Sequence, residues 1–257
     1  MFRLDNKIAI ITGAGSGIGK AIAKLFAKQG ASIHILDFDE KGASQTVKEI
    51  EDENGKAHFY KCDVSDQEGV KRLIDAVAQQ PGVIDILVNN AGVAHIGNVE
   101  TTPEEDFNRL FGVNVKGVYN CLKAAIPHMK TKGGSILNMA SIASAVGITD
   151  RFAYSMTKGA VVGMTLSTAR DYIKYKIRCN CISPARVHTP FVDGFLEKNY
   201  PGKEKEMFEK LSQGQPIGRM AEPEEIAFLV LYLCSDEASF ITGCDYPIDG
   251  GFIKLNN

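Results

Sequence analysis

Short runs of apolar, β-branched residues alternate along this chain with longer stretches whose apolar positions recur at helical spacing. Ile8 to Thr12 is the first such run, followed by a glycine-rich turn and a helix from about Gly17 to Gln29. Ala31 to Asp37 reads as the second strand, Asp39 to about Glu53 as a helix, Ala57 to Cys62 as the third strand and Asp66 to Gln79 as the next helix. Ile84 to Asn89 is a fourth strand, a continuous apolar run of the kind a parallel strand covered on both faces requires. Pro103 to about Lys130 reads as helical, with a break near Gly112. Ser135 to Ala140 is the fifth strand, Tyr154 to Tyr175 a helix, Ile177 to Ser183 the sixth strand and Ile241 to Ile248 the last. Alternation in this order requires parallel strands joined by right-handed crossovers. The expected fold is therefore α/β, a doubly wound sheet, mostly parallel, with helices on both faces.

One segment breaks the rhythm. Between Pro190 and Pro216 lies a polar excursion with two short amphipathic helices, around Phe191 to Leu196 and Lys203 to Leu211. Its charges are those of an ordinary solvated face. Yet an excursion after a central strand, at the carboxyl edge of a sheet, is where a lid over a site at about 190–216 would sit. At 257 residues with 44% hydrophobic side chains, the chain has enough apolar material for a single domain spanning 1–257. The net charge of −2 comes from interleaved acids and bases, with no basic stripe for nucleic acid. The opening apolar run is too short for a signal peptide or a membrane span. The six cysteines form no disulfide framework and no metal-ligand spacing. The expectation is a cytoplasmic protein with reduced thiols and no metal.

Chemistry enters at the first strand–helix junction. Gly13, Gly17 and Gly19 there follow the spacing G-x-x-x-G-x-G, with Ser16 and Ile18 between them. Glycine permits a tight turn and close approach of a pyrophosphate, and the helix N-terminus offers free N–H groups. Alone, such a turn has a purely structural reading as well. Asp37, ending the second strand 18 residues past Gly19, sharpens it. A carboxylate there bonds both ribose hydroxyls of NAD and repels the 2′-phosphate of NADP, and no arginine follows to rescue that phosphate. The domain is thus expected to be of Rossmann type and its cofactor NAD.

The glycine turn, Asn89-Asn90-Ala91-Gly92, Ser141 and Tyr154-Ser155-Met156-Thr157-Lys158 together resemble the short-chain dehydrogenase/reductase family, from Leu4 to Gly251. The resemblance implies hydride transfer between nicotinamide and a secondary alcohol or ketone, with Asn114, Ser141, Tyr154 and Lys158 as the catalytic residues. The residues carry that chemistry. An acceptor carbonyl needs a proton donor; tyrosine titrates at about 10 unaided. Lys158, one helical turn past Tyr154, favours the phenolate. Ser141 can hydrogen-bond the substrate oxygen. By resemblance Asn114 holds a water that relays protons to Lys158, Asp63 and Val64 bracket adenine, and Asn90, Gly92, Val187 and Thr189 line the cofactor. Ala185 stands where the family usually has glycine.

For substrate, Arg151, Arg186, His188 and His95 stand where the reacting carbon is expected. Arginine captures carboxylates bidentately. A small hydroxy acid or a keto-deoxy sugar acid is therefore expected; family members acting on such acids are similar to this chain around Arg151 and after Ser183. The competing reading gives these arginines to the lid, a neighbouring subunit or solvent. Among functions, the competitors are a 3-oxoacyl carrier-protein reductase, a neutral polyol or sugar dehydrogenase, and a non-enzymatic NAD-binding protein on the same fold. The resemblance also implies a homotetramer, with the helices from about Glu105 to Lys130 and Tyr154 to Tyr175 supplying the interfaces.

Overall fold

The computed structural model describes residues 1–79 and 83–255. Seven strands form one parallel sheet: β1 (Ile8–Thr12), β2 (Ser32–Asp37), β3 (Lys56–Lys61), β4 (Ile84–Asn89), β5 (Gly134–Met139), β6 (Ile177–Pro184) and β7 (Asp245–Ile248). Their order across the sheet is β3-β2-β1-β4-β5-β6-β7. Alternation within β1 explains why the sheet needs cover on both sides. Ala9 and Ile11 face one layer, with α1 (Gly17–Lys28), α2 (Glu40–Asp52) and α9 (Pro223–Cys234). Ile8 and Ile10 face the other, with α3 (Gln67–Ala78), α5 (Gly117–Met129) and α6 (Phe152–Tyr172). This is the doubly wound domain expected from the pattern.

Four local differences from the sequence reading have physical causes. β4 is apolar except for Asn89 at its end and Asp85, which is buried and engaged at both oxygens: Oδ2 accepts the Ile8 N–H at 2.9 Å and Oδ1 the Lys132 ammonium at 3.0 Å. It sits where the register of β1 against β4 shifts between Ile8 and Ala9, leaving a backbone donor for a side chain to satisfy. The break near Gly112 is a π-helical stretch, Phe111–Lys116, joining α4 (Glu104–Leu110) to α5. The last helix before β6 starts at Phe152, and a short 3₁₀ turn over Ile173–Tyr175 ends it. β7 begins at Asp245, not Ile241. Gly243 takes a positive φ of 69°, and the Asn180 side chain binds Ile241 O at 3.1 Å and Cys244 N at 3.1 Å, holding this stretch as a turn.

The polar excursion folds as α7 (Pro190–Asn199) and α8 (Glu204–Gln213). A short α10 (Phe252–Leu255) follows β7. All six cysteines are free thiols, and Cys179 and Cys181 enter the same core layer. No described helix is long and apolar enough to cross a membrane.

Candidate active site

The order of strands reverses between β1 and β4, so the loops leaving their carboxyl ends diverge and open a crevice. Thr12 ties the two loops together. Its Oγ1 accepts the N–H groups of Asn90 and Ala91 at 3.0 Å each, and Asn90 Nδ2 donates to Thr12 O at 3.1 Å and Gly13 O at 2.8 Å. Gly13 stands at φ 68°, and a Cβ there would lie 2.8 Å from the Ala91 Cα. Neither the turn nor the approach tolerates a side chain. Gly17 opens α1 at φ 52°, and a Cβ on it would meet Thr189 Cγ2 at 3.2 Å, so the loop after β6 closes on the same turn. Ser16, the N-cap, makes no side-chain cap bond. The N–H groups of the first turn, over Gly17, Ile18 and Gly19, therefore lie open at the positive end of the helix. A strapped glycine turn with bare amides fits a pyrophosphate.

The other residues expected to hold a cofactor line the same edge. Asp37 Oδ2 accepts the Gly15 N–H at 2.7 Å and its Oδ1 the Asp39 N–H at 2.9 Å, which fixes the carboxylate beside the turn. Asp63 Oδ1 is held by Ser65 through N–H at 2.9 Å and Oγ–H at 2.7 Å. Val64 is buried next to it, its carbonyl receiving Asn120 Nδ2 at 2.8 Å. Val187 is buried and pairs with Ala221, and Thr189 caps α7.

Beyond the crevice the structure brings Asn114, Ser141, Tyr154 and Lys158 together. Asn114 lies in the π-helical stretch, almost fully buried. Its Oδ1 accepts the Val93 N–H at 2.8 Å, and its Nδ2 donates to Val93 O at 2.8 Å and Thr157 Oγ1 at 3.1 Å. One amide thus locks the loop after β4 to α6. A Cβ placed on Gly92 would fall 3.3 Å from Asn114 Oδ1 and 3.7 Å from Lys158 Nζ, so this lock sits beside the ammonium. Asn114 is thus buried within a π-helical stretch, a departure from regular helix found frequently at functional sites. Lys158 Nζ donates to Met139 O at 2.7 Å, leaving two of its three donors open. Burial pushes its pKa down to about 8.

Lys158 Nζ is 5.6 Å from the Tyr154 ring centroid. The Tyr154 hydroxyl meets Ser141, whose Oγ also accepts the Ala143 N–H at 3.2 Å. Burial pushes the Tyr154 phenol up, while the Ser141 hydrogen bond and the positive Arg151 pull it down. A phenol poised this way, with an ammonium and a positive side chain nearby, can take or give a proton at Oη.

The four residues expected at the substrate side part company. Arg151 is the N-cap of α6, its Nη1 donating to Asp150 O at 3.1 Å, and its backbone pairs with Gly97. Arg186 is partly buried on the facing loop, and its guanidinium bonds none of the described residues. Burial first, and then the like charge of Arg151, hold the Arg186 pKa down. His188 instead turns to the polar excursion. Its Nε2 lies 3.0 Å from Asp193 Oδ1 and its ring packs edge-on against Phe208 at 4.9 Å. His95 Nδ1 lies 3.3 Å from Asp106 Oδ2, while its buried Nε2 has no hydrogen-bond partner among the described residues.

Comparison with known proteins agrees with this geometry. Residues 13–253 match a family model described as enoyl-(acyl carrier protein) reductase. The chain is 38% identical to a 3-oxoacyl-[acyl-carrier-protein] reductase of Thermotoga maritima, over 98% of this chain and 99% of that one. It is 37% identical to a 2-keto-3-deoxy-L-fuconate dehydrogenase of Xanthomonas campestris pv. campestris, over 97% of this chain and 81% of the relative. Among solved structures, L-sorbose reductase from Gluconobacter frateurii, complexed with NADPH and L-sorbose, superposes with a TM-score of 0.94 at 30% identity, covering 99% of both chains. The chain belongs to the short-chain dehydrogenase/reductase family, enzymes that act on CH–OH groups with a nicotinamide cofactor.

Proposed function

We propose that this enzyme is an NAD-dependent dehydrogenase of a secondary alcohol that carries a carboxylate close to the reacting carbon. The observation that carries the reading is Arg186, a partly buried guanidinium with no anionic partner among the described residues, which feels the like charge of a second arginine, Arg151, whose charge also reaches Tyr154. A pair of like charges at the mouth of an active site is unfavourable until an anion enters. A carboxylate supplies that anion. The Xanthomonas relative, a keto-deoxy sugar acid dehydrogenase by its name, supports this substrate class.

In this reading the glycine turn and the first amides of α1 hold the pyrophosphate, and Asp37 takes the ribose hydroxyls. The cofactor supplies the hydride acceptor. Tyr154 Oη takes the proton from the oxygen of the substrate hydroxyl, whose carbon would yield its hydride to the cofactor when one is bound. Ser141 hydrogen-bonds the substrate oxygen and holds it in line with Oη. Lys158 supplies positive charge that favours the phenolate. Asn114 fixes the Gly92–Val93 loop against α6 through both ends of its amide, and the second lone pair on Oδ1 is what it has for a water leading to Lys158. α7 and α8 form the lid, and His188 ties it to the loop after β6.

The carrier-protein reductase reading draws on the Thermotoga relative. Asp37 beside Gly15 and a net charge of −2 without a basic stripe in the sequence give it no further support. One assay separates these readings. NADH absorbance is followed with hydroxy acids, sugar acids, neutral polyols and steroids, each with NAD and with NADP. Activity confined to acids is expected, with kcat/KM for NAD at least ~10-fold above NADP, because a 2′-phosphate meets a like charge at Asp37. Preference for neutral alcohols sinks the carboxylate reading, and preference for NADP sinks the role of Asp37.

The assembly reading is a homotetramer in the cytoplasm. Phe152, Leu166 and Ile173 are exposed along one line of α6 and the turn after it, with Gly159 and Gly163 on that line leaving its surface bare. Phe111 and Tyr119 are exposed on the neighbouring helical segment. Light scattering should give four times the 27.9 kDa chain mass; a monomeric mass overturns this.

A further inference from the structure

Thr157 lies between Tyr154 and Lys158 on α6 and is fully buried. Valine would fill that space with no polar atom to satisfy, so the hydroxyl calls for a reason. It is engaged twice: Oγ1 donates to Tyr154 O at 2.8 Å and accepts from Asn114 Nδ2 at 3.1 Å. A hydroxyl has one proton, and this one is committed to the Tyr154 carbonyl. Towards Asn114 it offers only a lone pair, which admits the amide nitrogen and rejects the amide oxygen. With Val93 O at 2.8 Å taking the other N–H, both donors of Nδ2 are spent. Oδ1 holds the Val93 N–H at 2.8 Å and keeps one lone pair. The Cβ position of Gly92 lies 3.3 Å from Oδ1 and 3.7 Å from Lys158 Nζ, so amide oxygen and ammonium are neighbours. About two turns further on, Thr165 repeats the pattern, with Oγ1 donating to Val161 O at 2.8 Å and accepting Asn138 Nδ2 at 2.9 Å. It is equally buried, but Asn138 lies in β5 and its oxygen receives Asn89 Nδ2 at 2.8 Å. Threonine bonding back to its own helix therefore needs no catalytic explanation by itself. What sets Thr157 apart is its pair of partners, the carbonyl of Tyr154 and the amide that borders Lys158.

We propose that Thr157 is a positioning residue for proton transfer: its hydroxyl pins the Asn114 amide to the Tyr154 turn and keeps the free acceptor of Oδ1 next to Lys158. The inference rests on the proton path through Asn114 given above and deepens it. Without the hydroxyl, one N–H of Asn114 is left buried and unpaired. The amide escapes that arrangement by turning, and turning moves Oδ1. The proton that Tyr154 takes from the substrate oxygen then leaves the site slowly. Thr157 is fully buried and reaches neither ligand, so the defect falls on turnover and not on binding.

Thr157→Val removes the hydroxyl and keeps the shape. With the best substrate of the panel, kcat is expected to fall about tenfold while KM for substrate and cofactor stays within about twofold. The solvent deuterium isotope effect on kcat should rise, because proton departure has become the slower step. Thr157→Ser restores the hydroxyl without the methyl, and its kcat and isotope effect should match the parent. Thr165→Val is the control: it makes the same chemical change on the same helix and should lower the melting temperature with kcat and isotope effect unchanged. Parental kcat and isotope effect in Thr157→Val overturn the role of Thr157, as does an equal loss of kcat in Thr157→Val and Thr165→Val. If the valine variant fails to fold, Thr157→Ser still decides, since a tenfold loss of kcat there means that the hydroxyl is not what matters. Asn114→Ala separates the two levels of the argument. If it slows turnover and Thr157→Val does not, Thr157 alone is set aside. If Asn114→Ala leaves kcat unchanged, the proton path through Asn114 fails and this inference with it.

Discussion

Tyr154→Phe is expected to lower kcat by roughly a thousandfold while leaving the affinity for NADH nearly unchanged. The substitution removes one oxygen and keeps the ring. That oxygen meets Ser141 and carries no part of the core, so folding should not suffer. What goes is the only phenol among the four clustered residues, and with it the atom that exchanges a proton with the substrate oxygen. Burial works against the phenolate, and Arg151 and the Ser141 hydroxyl work for it. Lys158 lies one helical turn away with its own pKa lowered to about 8, so at neutral pH it remains mostly protonated and lends its charge; above pH 8 that charge is lost. The same logic predicts that Lys158→Met moves the rising limb of the pH–rate profile to higher pH, because the phenolate has lost a cation one helical turn away. Steady-state rates with fluorescence titration of NADH test both. A loss in Tyr154→Phe of less than tenfold would mean that another group handles the proton.

Much of this site is legible in the chain because its parts are local. The glycine turn, Asp37 at the end of β2 and the Tyr154–Lys158 turn each lie within one strand–helix unit, where spacing alone places side chains. The strands are legible for a similar reason: a strand covered on both faces is apolar along its covered length, and Ile8 to Ile11 is. Asp85 escapes that rule because its carboxylate answers a backbone donor on another strand, 77 residues away. The break at Gly112 is visible as a glycine in a helix, but its π form depends on Asn114 finding the Val93 backbone, which no local pattern encodes.

The substrate side was the least legible, since its residues are paired across loops. His188 reads as a free chargeable group beside the nicotinamide. In the fold Asp193, five residues on, and Phe208 from α8 engage it, so it serves the lid. His95 is likewise drawn to Asp106 in the first turn of α4.

Arg186→Met should raise KM for an acid substrate about 10- to 100-fold, the range expected for losing charge-assisted hydrogen bonds to a carboxylate. Methionine keeps much of the apolar stem, so packing along the loop after β6 is preserved. The diagnostic part is stability. An arginine that serves the fold has partners, and its removal destabilises. Arg186 is partly buried, bonds none of the described residues and feels the like charge of Arg151. Removing an uncompensated, partly buried charge relieves both its desolvation and its repulsion. The free Arg186→Met protein should therefore melt at the same temperature as the parent or slightly above it, even as its affinity for acids falls. Arg186→Lys should recover little, because a point charge cannot reproduce the bidentate fork. Neutral alcohols should lose nothing in the Met variant, and gain if repulsion at the mouth had strained the free site. A lowered melting temperature together with unchanged KM for acids would instead make Arg186 a structural residue and leave the enzyme's preference to be decided by the shape of the crevice alone.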